Sequence, residues 1–275
     1  MRITDQQLNR IYAEKNTRDP SFIMSTHHFH PYYELYYLNH GICRFFINDA
    51  LYTIHEGDLI IIPYHLLHYT KYVTSCTRTA VFFRKEDLQA ADSVIDFAHS
   101  YSKLQIFHVL DANRSAVETN LENMLTEMRF NDEATPLTLQ VQLQELFLII
   151  KRYCRHVNEV NDLHTDDREV VEAARFISDH YAEHITSKDI AAVTGFTPNY
   201  LSTKFHETAG IGLHEYLVFT RLHHAENILL STSTSITDIA LQCGFTDSNY
   251  FKDAFKKMYG CSPREYKKKT DPISK

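Results

Sequence analysis

The sequence predicts an α+β chain of more than one domain: a β-barrel, then a helical segment, then an all-α domain. Three observations carry this. Between Tyr32 and Ile62, short β-branched and aromatic runs alternate with turn residues. From Ser115 the apolar residues switch to helical spacing. The last third repeats itself at a period near fifty residues. A length of 275 residues is comfortable for two domains.

The strands come first. Tyr32 to Asn39, Ile42 to Ile47, Tyr52 to Ile54 and Leu59 to Ile62 read as short strands, with Asn48-Asp49 and Glu56-Gly57-Asp58 as turns and Pro63 as a stop. Helices follow. Ser115-x-x-Glu118 reads as a capping box ahead of Val117, Leu121, Met124, Leu125 and Met128. Thr135-Pro136 reads as the N-cap and first residue of a second helix, whose Leu139, Leu143, Leu146, Phe147 and Ile150 share one face. Periodicity is lost over 158–168, which reads as a linker, and the chain is helical from there to about Lys268. The expected domains are therefore 1–112, a helical dimerisation segment over 113–157, and 169–270.

Composition excludes several classes. Hydrophobic residues at 44% and charged residues at 23% describe a soluble globular chain, and no apolar run is long enough to span a bilayer. Residues Met1 to Gln7 hold no apolar h-region, so a cytoplasmic protein is expected. Five scattered cysteines, none in CxxC, fit reduced thiols and no zinc ribbon. A net charge of −7 argues at first against nucleic acid, but residues 251–275 hold eight Lys and Arg against three Asp and Glu. DNA affinity follows such a local field and not the chain total.

The repeat carries most of the functional signal. Asp189-Ile190-Ala191 through Gly195-Phe196-Thr197 is echoed by Asp238-Ile239-Ala240 through Gly244-Phe245-Thr246. Thr186 and Ser235 stand ready as N-caps, and each copy runs on to Phe205 or Phe255, Gly210 or Gly260, and Glu-Tyr. A capped helix of small apolar residues, a glycine turn and a second capped helix make a helix-turn-helix, predicted over 186–208 and 235–258. The second copy has one extra residue between its Gly-Phe and its final Phe.

These residues, and above all Ile239-Ala240, Gly244-Phe245, Tyr250-Phe251, Phe255-Lys256-Lys257, Gly260 and Ser262-Pro263-x-Glu265-Tyr266, resemble the DNA-binding domain of the AraC/XylS family of transcriptional regulators. The resemblance implies two helix-turn-helix units on one long linker helix, entering successive major grooves about one turn apart, roughly 34 Å. Asn199, Ser202 and Thr203 in the first unit, with Ser248, Asn249 and Asp253 in the second, are then the candidates for base contact. Lys204, Lys252, Lys256 and Lys257 are the candidates for phosphate. The family usually has Arg where this chain has Thr203 and Asp253, so its operator is not transferable from a relative.

Seven of the 17 histidines lie between His27 and His68. His28-x-His30-x-x-x-Glu34 with Gly41, and Gly57-x5-Pro63 with His68, resemble the two motifs of the cupin superfamily, which implies a jelly-roll barrel as effector domain. In metal cupins the equivalents of His28, His30, Glu34 and His68 bind one divalent ion, for which Zn, Fe, Ni, Mn or Cu suit the donors. His65 stands where that family usually has Gly. The expected cofactor is none, with His28, His30, Glu34, Tyr36 and His68 lining an effector site as hydrogen-bonding walls. Tyr32, Tyr33, Tyr36 and Tyr37 flank this site and suit a sugar, or else fill the sheet faces.

The expected function is a ligand-responsive, homodimeric transcription regulator of carbohydrate genes, with DNA, a small effector and, for an activator, RNA polymerase as partners. Leu139, Leu143 and Ile150 are candidate dimer contacts, or else they pack on the barrel. The alternatives are a metal-dependent cupin enzyme (dioxygenase or sugar isomerase) and a constitutive regulator without an effector.

Overall fold

The computed structural model describes residues 11–22, 30–157 and 167–270. The chain divides into two compact units, Met1–Asp162 and Leu163–Lys275. Most of the expected linker over 158–168 lies outside the described residues.

In the first unit the strands are β1 Tyr12–Arg18, β2 Tyr33–His40, β3 Ile42–Ile47, β4 Ala50–His55, β5 Asp58–Ile62, β6 His68–Tyr72, β7 Cys76–Phe83, β8 Gln105–Val109 and β9 Cys154–His156. They form a six-stranded sheet, β1-β7-β2-β5-β8-β9, and a three-stranded sheet, β4-β3-β6, all antiparallel. Short helices α1 (Asp92–Ile95) and α2 (Phe97–Ser100) follow β7, and the long pair α3 (Arg114–Phe130) and α4 (Thr135–Tyr153) follows β8.

Strand alternation sorts the side chains into two cores. Tyr36, Leu38, Ile60, Ile62 and Cys76 of the large sheet meet Cys43, Phe45, Ile47, Ile54 and Tyr72 of the small one, filling the sandwich. The opposite face of the large sheet, with Tyr33, Leu35, Tyr37, Leu59, Ile61, Val81 and Phe83, packs on Leu121, Met124, Leu139, Leu143, Leu146, Phe147 and Ile150. The four tyrosines therefore do not share one site. Tyr33 and Tyr37 face the helices, Tyr32 stacks on His30, and Tyr36 lies in the sandwich core against Phe45.

Three local expectations are corrected. Leu139, Leu143 and Ile150 are at most 1% exposed and bury against the barrel of their own chain, so they are not dimer contacts. Ser115 and Glu118 form no capping box: α3 begins at Arg114 without a side-chain cap, and Glu118 instead accepts from the Tyr37 hydroxyl at 2.9 Å. Thr135 is the first residue of α4 and not its cap, because Asp132 Oδ1 already accepts from the N–H groups of Ala134 and Thr135.

The second unit is helical: α5 Arg168–His180, α6 Ser187–Thr194, α7 Pro198–Ala209, α8 Leu213–Ser231, α9 Ile236–Gln242, α10 Ser248–Tyr259 and α11 Pro263–Thr270. Thr186 and Ser235 cap α6 and α9, accepting from the N–H of Asp189 and Asp238. Ala191 and Ala240 are buried, letting each pair of helices approach closely. Thr197 caps α7, but the cap of α10 is Asp247 and not Thr246. The extra residue of the second copy is thus absorbed in the turn. Both reading helices keep 12 residues and end on a left-handed glycine, Gly210 or Gly260.

Candidate functional sites

The reading helices present matched outward faces. In α7, Leu201 and Phe205 are buried while Asn199, Ser202 and Thr203 are exposed. In α10, Phe251 and Phe255 are buried while Asn249, Lys252, Asp253, Lys256 and Lys257 are exposed and Ser248 is half-buried. Thr203 Oγ1 donates to the Asn199 carbonyl at 3.1 Å. Lys204 stands apart from this face. Its ammonium pairs with Asp167 at 3.2 Å, and Asp167 also accepts from Thr208 at 3.2 Å.

Residues to which sequence reasoning gave no role hold these helices in place. Arg221, on α8, donates to the carbonyls of Tyr181 (2.7 Å) and Glu183 (2.8 Å) and lies 5.8 Å from the centre of the Phe245 ring. It thereby ties the end of α5 to the turn of the second copy. Glu226, 4% exposed, accepts from the hydroxyls of Tyr259 (2.9 Å) and Tyr266, joining α8 to α10 and α11. The only hint in the sequence was that both copies end in Glu-Tyr. A buried carboxylate without such donors would be expensive, so these tyrosines are fixed by it as much as it is by them.

The other candidate site lies inside the sandwich. His30, Glu34 on β2 and His68 at the start of β6 are each 5% exposed or less. Glu34 Oε2 stands 3.0 Å from His30 Nε2 and 3.3 Å from His68 Nε2. The opposite nitrogens, Nδ1, meet the carbonyls of Tyr32 (2.8 Å) and Leu66 (3.0 Å). A carbonyl only accepts, so each Nδ1 carries a proton and both Nε2 atoms face the carboxylate. Burial alone would push the Glu34 pKa up, but the hydrogen bonds and charge of His30 and His68 hold it well below the usual carboxylate range. Burial pulls the His30 pKa down against the pull of Glu34. Tyr32 stacks on His30 at 4.3 Å, and Phe82 presents its edge to both rings.

His28 lies outside the described residues. His30, Glu34 and His68 offer ligand atoms all within 4.8 Å of one another, and their carbonyl partners are the outer-shell bonds that metal-binding imidazoles use. The trio therefore fits a divalent ion and equally fits a hydrogen-bonding wall. His65 adopts a left-handed φ of 58°, the conformation for which glycine is the ordinary choice, and its N–H donates to the His30 carbonyl at 2.8 Å.

Comparison with known proteins adds the family. Residues 11–147 match the profile of an AraC-like ligand binding domain, and residues 190–269 that of a helix-turn-helix domain. An uncharacterized HTH-type transcriptional regulator, YijO of Escherichia coli (strain K12), is 30% identical over 223 residues, covering 78% of this chain and 75% of its own. The HTH-type transcriptional activator RhaS of Enterobacter sp. (strain 638) is 25% identical over 258 residues, covering 92% of this chain and 91% of its own. Among solved structures, a transcriptional regulator with an AraC-type DNA-binding domain from Chromobacterium violaceum is 27% identical, covering 39% of this chain and 97% of its own, at a TM-score of 0.37.

Proposed function

This chain belongs to the AraC-type family of helix-turn-helix transcriptional regulators, and from that premise we propose how DNA and effector meet in it. It is a sequence-specific DNA-binding regulator with a ligand-binding domain, and not an enzyme. The observation that carries the reading is the pair of matched outward faces on α7 and α10. Asn199 and Asn249 occupy the same helical position and suit adenine bidentately, while Ser202, Thr203, Ser248 and Asp253 supply further base contacts. Lys252, Lys256 and Lys257 hold phosphates.

The effector binds between the two sheets, beside His30, Glu34, Tyr36 and His68, which work there as hydrogen-bonding groups without a metal. A carboxylate flanked by two imidazoles meets a hydroxyl-rich ligand well, which supports a carbohydrate signal. The protein acts in the cytoplasm as a homodimer. Leu137 and Val141, 66% and 58% exposed on α4, with Phe130 at the end of α3, are the dimer contacts. The activator named among the relatives supports activation here, with RNA polymerase as a further partner. Effector binding shifts the dimer only as far as the ligand prefers one arrangement over the other.

The test is a genome-wide binding selection followed by footprinting of the full chain, with and without sugars. Protection of two adjacent major grooves per protomer, lost in the Asn199→Ala/Asn249→Ala pair, is expected. Recovery of no specific site under any condition would sink the reading, and DNA affinity that no ligand alters would leave a constitutive regulator. Sedimentation of Leu137→Glu/Val141→Glu is expected to give monomers, and metal analysis of untagged protein to give far less than one ion per chain.

A further inference from the structure

Two thiols from different sheets touch inside the sandwich. Cys43 is the second residue of β3 in the small sheet, and Cys76 opens β7 in the large one. Their side chains are hydrogen-bonded to each other, and both are fully buried in the sandwich core. Gly41, in the turn between β2 and β3, makes this approach possible. Its φ is 100°, and a Cβ there would come within 2.5 Å of the Ser75 carbonyl oxygen and 2.8 Å of the Cys76 sulfur. Ile42 then fixes the spacing. Its carbonyl accepts from the N–H groups of Val73 and Thr74, and its own N–H donates to the Thr74 hydroxyl at 2.8 Å.

A buried cysteine is ordinarily an inert filler. Cys154 and Cys243 fit that role, with burial raising each thiol to about 11. The pair differs because each sulfur has polar company. Burial keeps the Cys43 thiol protonated, so it is the donor of the pair, and its sulfur also lies 3.6 Å from the Tyr36 hydroxyl. Cys76 receives that hydrogen bond and lies 3.9 Å from the Thr74 hydroxyl, and these two donors lower its pKa against burial. When protonated, the Cys76 thiol has the carbonyls of Ile42 (3.1 Å) and Thr74 (3.3 Å) to donate to. Cys76 therefore has partners in both protonation states. Val73, Thr74 and Ser75, just before it, are exposed, so the pair lies beneath a surface turn. Sulfurs in hydrogen-bond contact are within reach of a bond by side-chain rotation.

We propose that Cys43 and Cys76 are a modification site: a peroxide closes them into a reversible disulfide that clasps β3 to β7 across the sandwich. The Cys76 thiolate attacks one oxygen of hydrogen peroxide. The S–O bond forms, the O–O bond breaks, and the departing hydroxide takes up a proton as water. The Cys43 sulfur then attacks the sulfenic sulfur. The S–S bond forms, the S–O bond breaks, and the oxygen leaves with the Cys43 proton as a second water. Two thiols are oxidised and one peroxide is reduced to two waters. Where thiols are kept reduced, such a bond is transient and reports an oxidant. The clasp is independent of what the effector is.

The test treats the reduced full chain with hydrogen peroxide, alkylates it, digests it without reductant and maps the peptides by mass spectrometry. A crosslinked peptide joining Cys43 to Cys76, cleaved by dithiothreitol and missing from Cys76→Ser, is expected. In Cys43→Ser the sulfenic acid has no thiol to meet, and its capture on Cys76 by dimedone is expected, which keeps the test open if Cys76→Ser folds poorly. The oxidised chain is expected to melt several degrees above the reduced one, since the bond constrains the unfolded chain, and neither variant is expected to show that rise. Cys43 and Cys76 still alkylated once the half-exposed Cys154 and Cys261 have been oxidised would overturn the proposal. So would a crosslink between other cysteines or between chains in its place, or a Cys43–Cys76 bond that brings no rise in melting temperature.

Discussion

The two helix-turn-helix copies share the run Gly-Phe-Thr at the turn, yet Phe196 is 46% exposed and Phe245 only 3%. The glycines differ in the same sense. A Cβ on Gly195 would meet nothing within 4 Å, whereas one on Gly244 would come within 2.8 Å of the carbonyl oxygens of Tyr181 and Ala182. The end of α5 and the guanidinium of Arg221 cover the second turn and leave the first bare. The shared run thus puts both glycines in the left-handed region, at φ 74° and 80°, but in different surroundings. A turn's conformation is decided within a few residues, its packing by whatever returns from far along the chain.

Paired substitutions test that difference, the largest first. Phe245→Ala is expected to cost about 3–5 kcal/mol of stability as a core truncation, and Phe196→Ala under about 1 kcal/mol, both by denaturant unfolding of the full chain. Equal losses would mean that the first turn is covered as well. Gly244→Ala combines a left-handed backbone with a collision against two carbonyls, for about 2–4 kcal/mol. Gly195→Ala meets the backbone term alone, about 1 kcal/mol.

Charge separates the copies next. The outward face of α10 and the helix after it hold Lys252, Lys256, Lys257 and Arg264, while Lys204 of α7 is engaged by Asp167. Removing Lys256 or Lys257 is expected to flatten the plot of log K against log salt by about 0.9 for each phosphate left without its lysine. Asp167→Asn, which releases Lys204, is expected to steepen it by as much. A salt slope unmoved by Asp167→Asn would show that α7 lies too far from the backbone for its lysine to matter. The smallest effect concerns the first cap. The Thr186 hydroxyl, then its N–H, hold the Asp189 carboxyl below its ordinary range. A depressed carboxyl contributes to stability at neutral pH and loses that contribution as pH falls through the acid range. Thr186→Ala is expected to raise the Asp189 pKa toward the usual value in an NMR titration.

What the sequence made legible was local. Caps at Thr186 and Ser235, the glycine turns, the hairpin from Ile42 to Ile54 and the period-fifty repeat each depend on residues close in the chain. What it hid depends on distant partners. Ser115 and Glu118 have the spacing of a capping box, but Tyr37 claims the glutamate from 81 residues away. The stripe Leu139-Leu143-Ile150 was visible as apolar, but periodicity does not say whether a barrel or a second protomer covers it. The histidine pair around Glu34 was legible from motif spacing. The thiol pair was not, since Cys43 and Cys76 lie on different sheets and meet only through the sandwich.

The extra residue of the second copy has a practical consequence. Because it lies in the turn, position for position α7 and α10 remain in register: Asn199 with Asn249, Ser202 with Lys252, Thr203 with Asp253, Phe205 with Phe255. Each reading helix is then a cassette. Its outward residues can be exchanged for those of the other without touching the inward phenylalanine or the capping glycine. A chain so exchanged is expected to recognise the same two half-sites in reversed order along the DNA, which turns an accident of turn length into a handle for rewriting an operator.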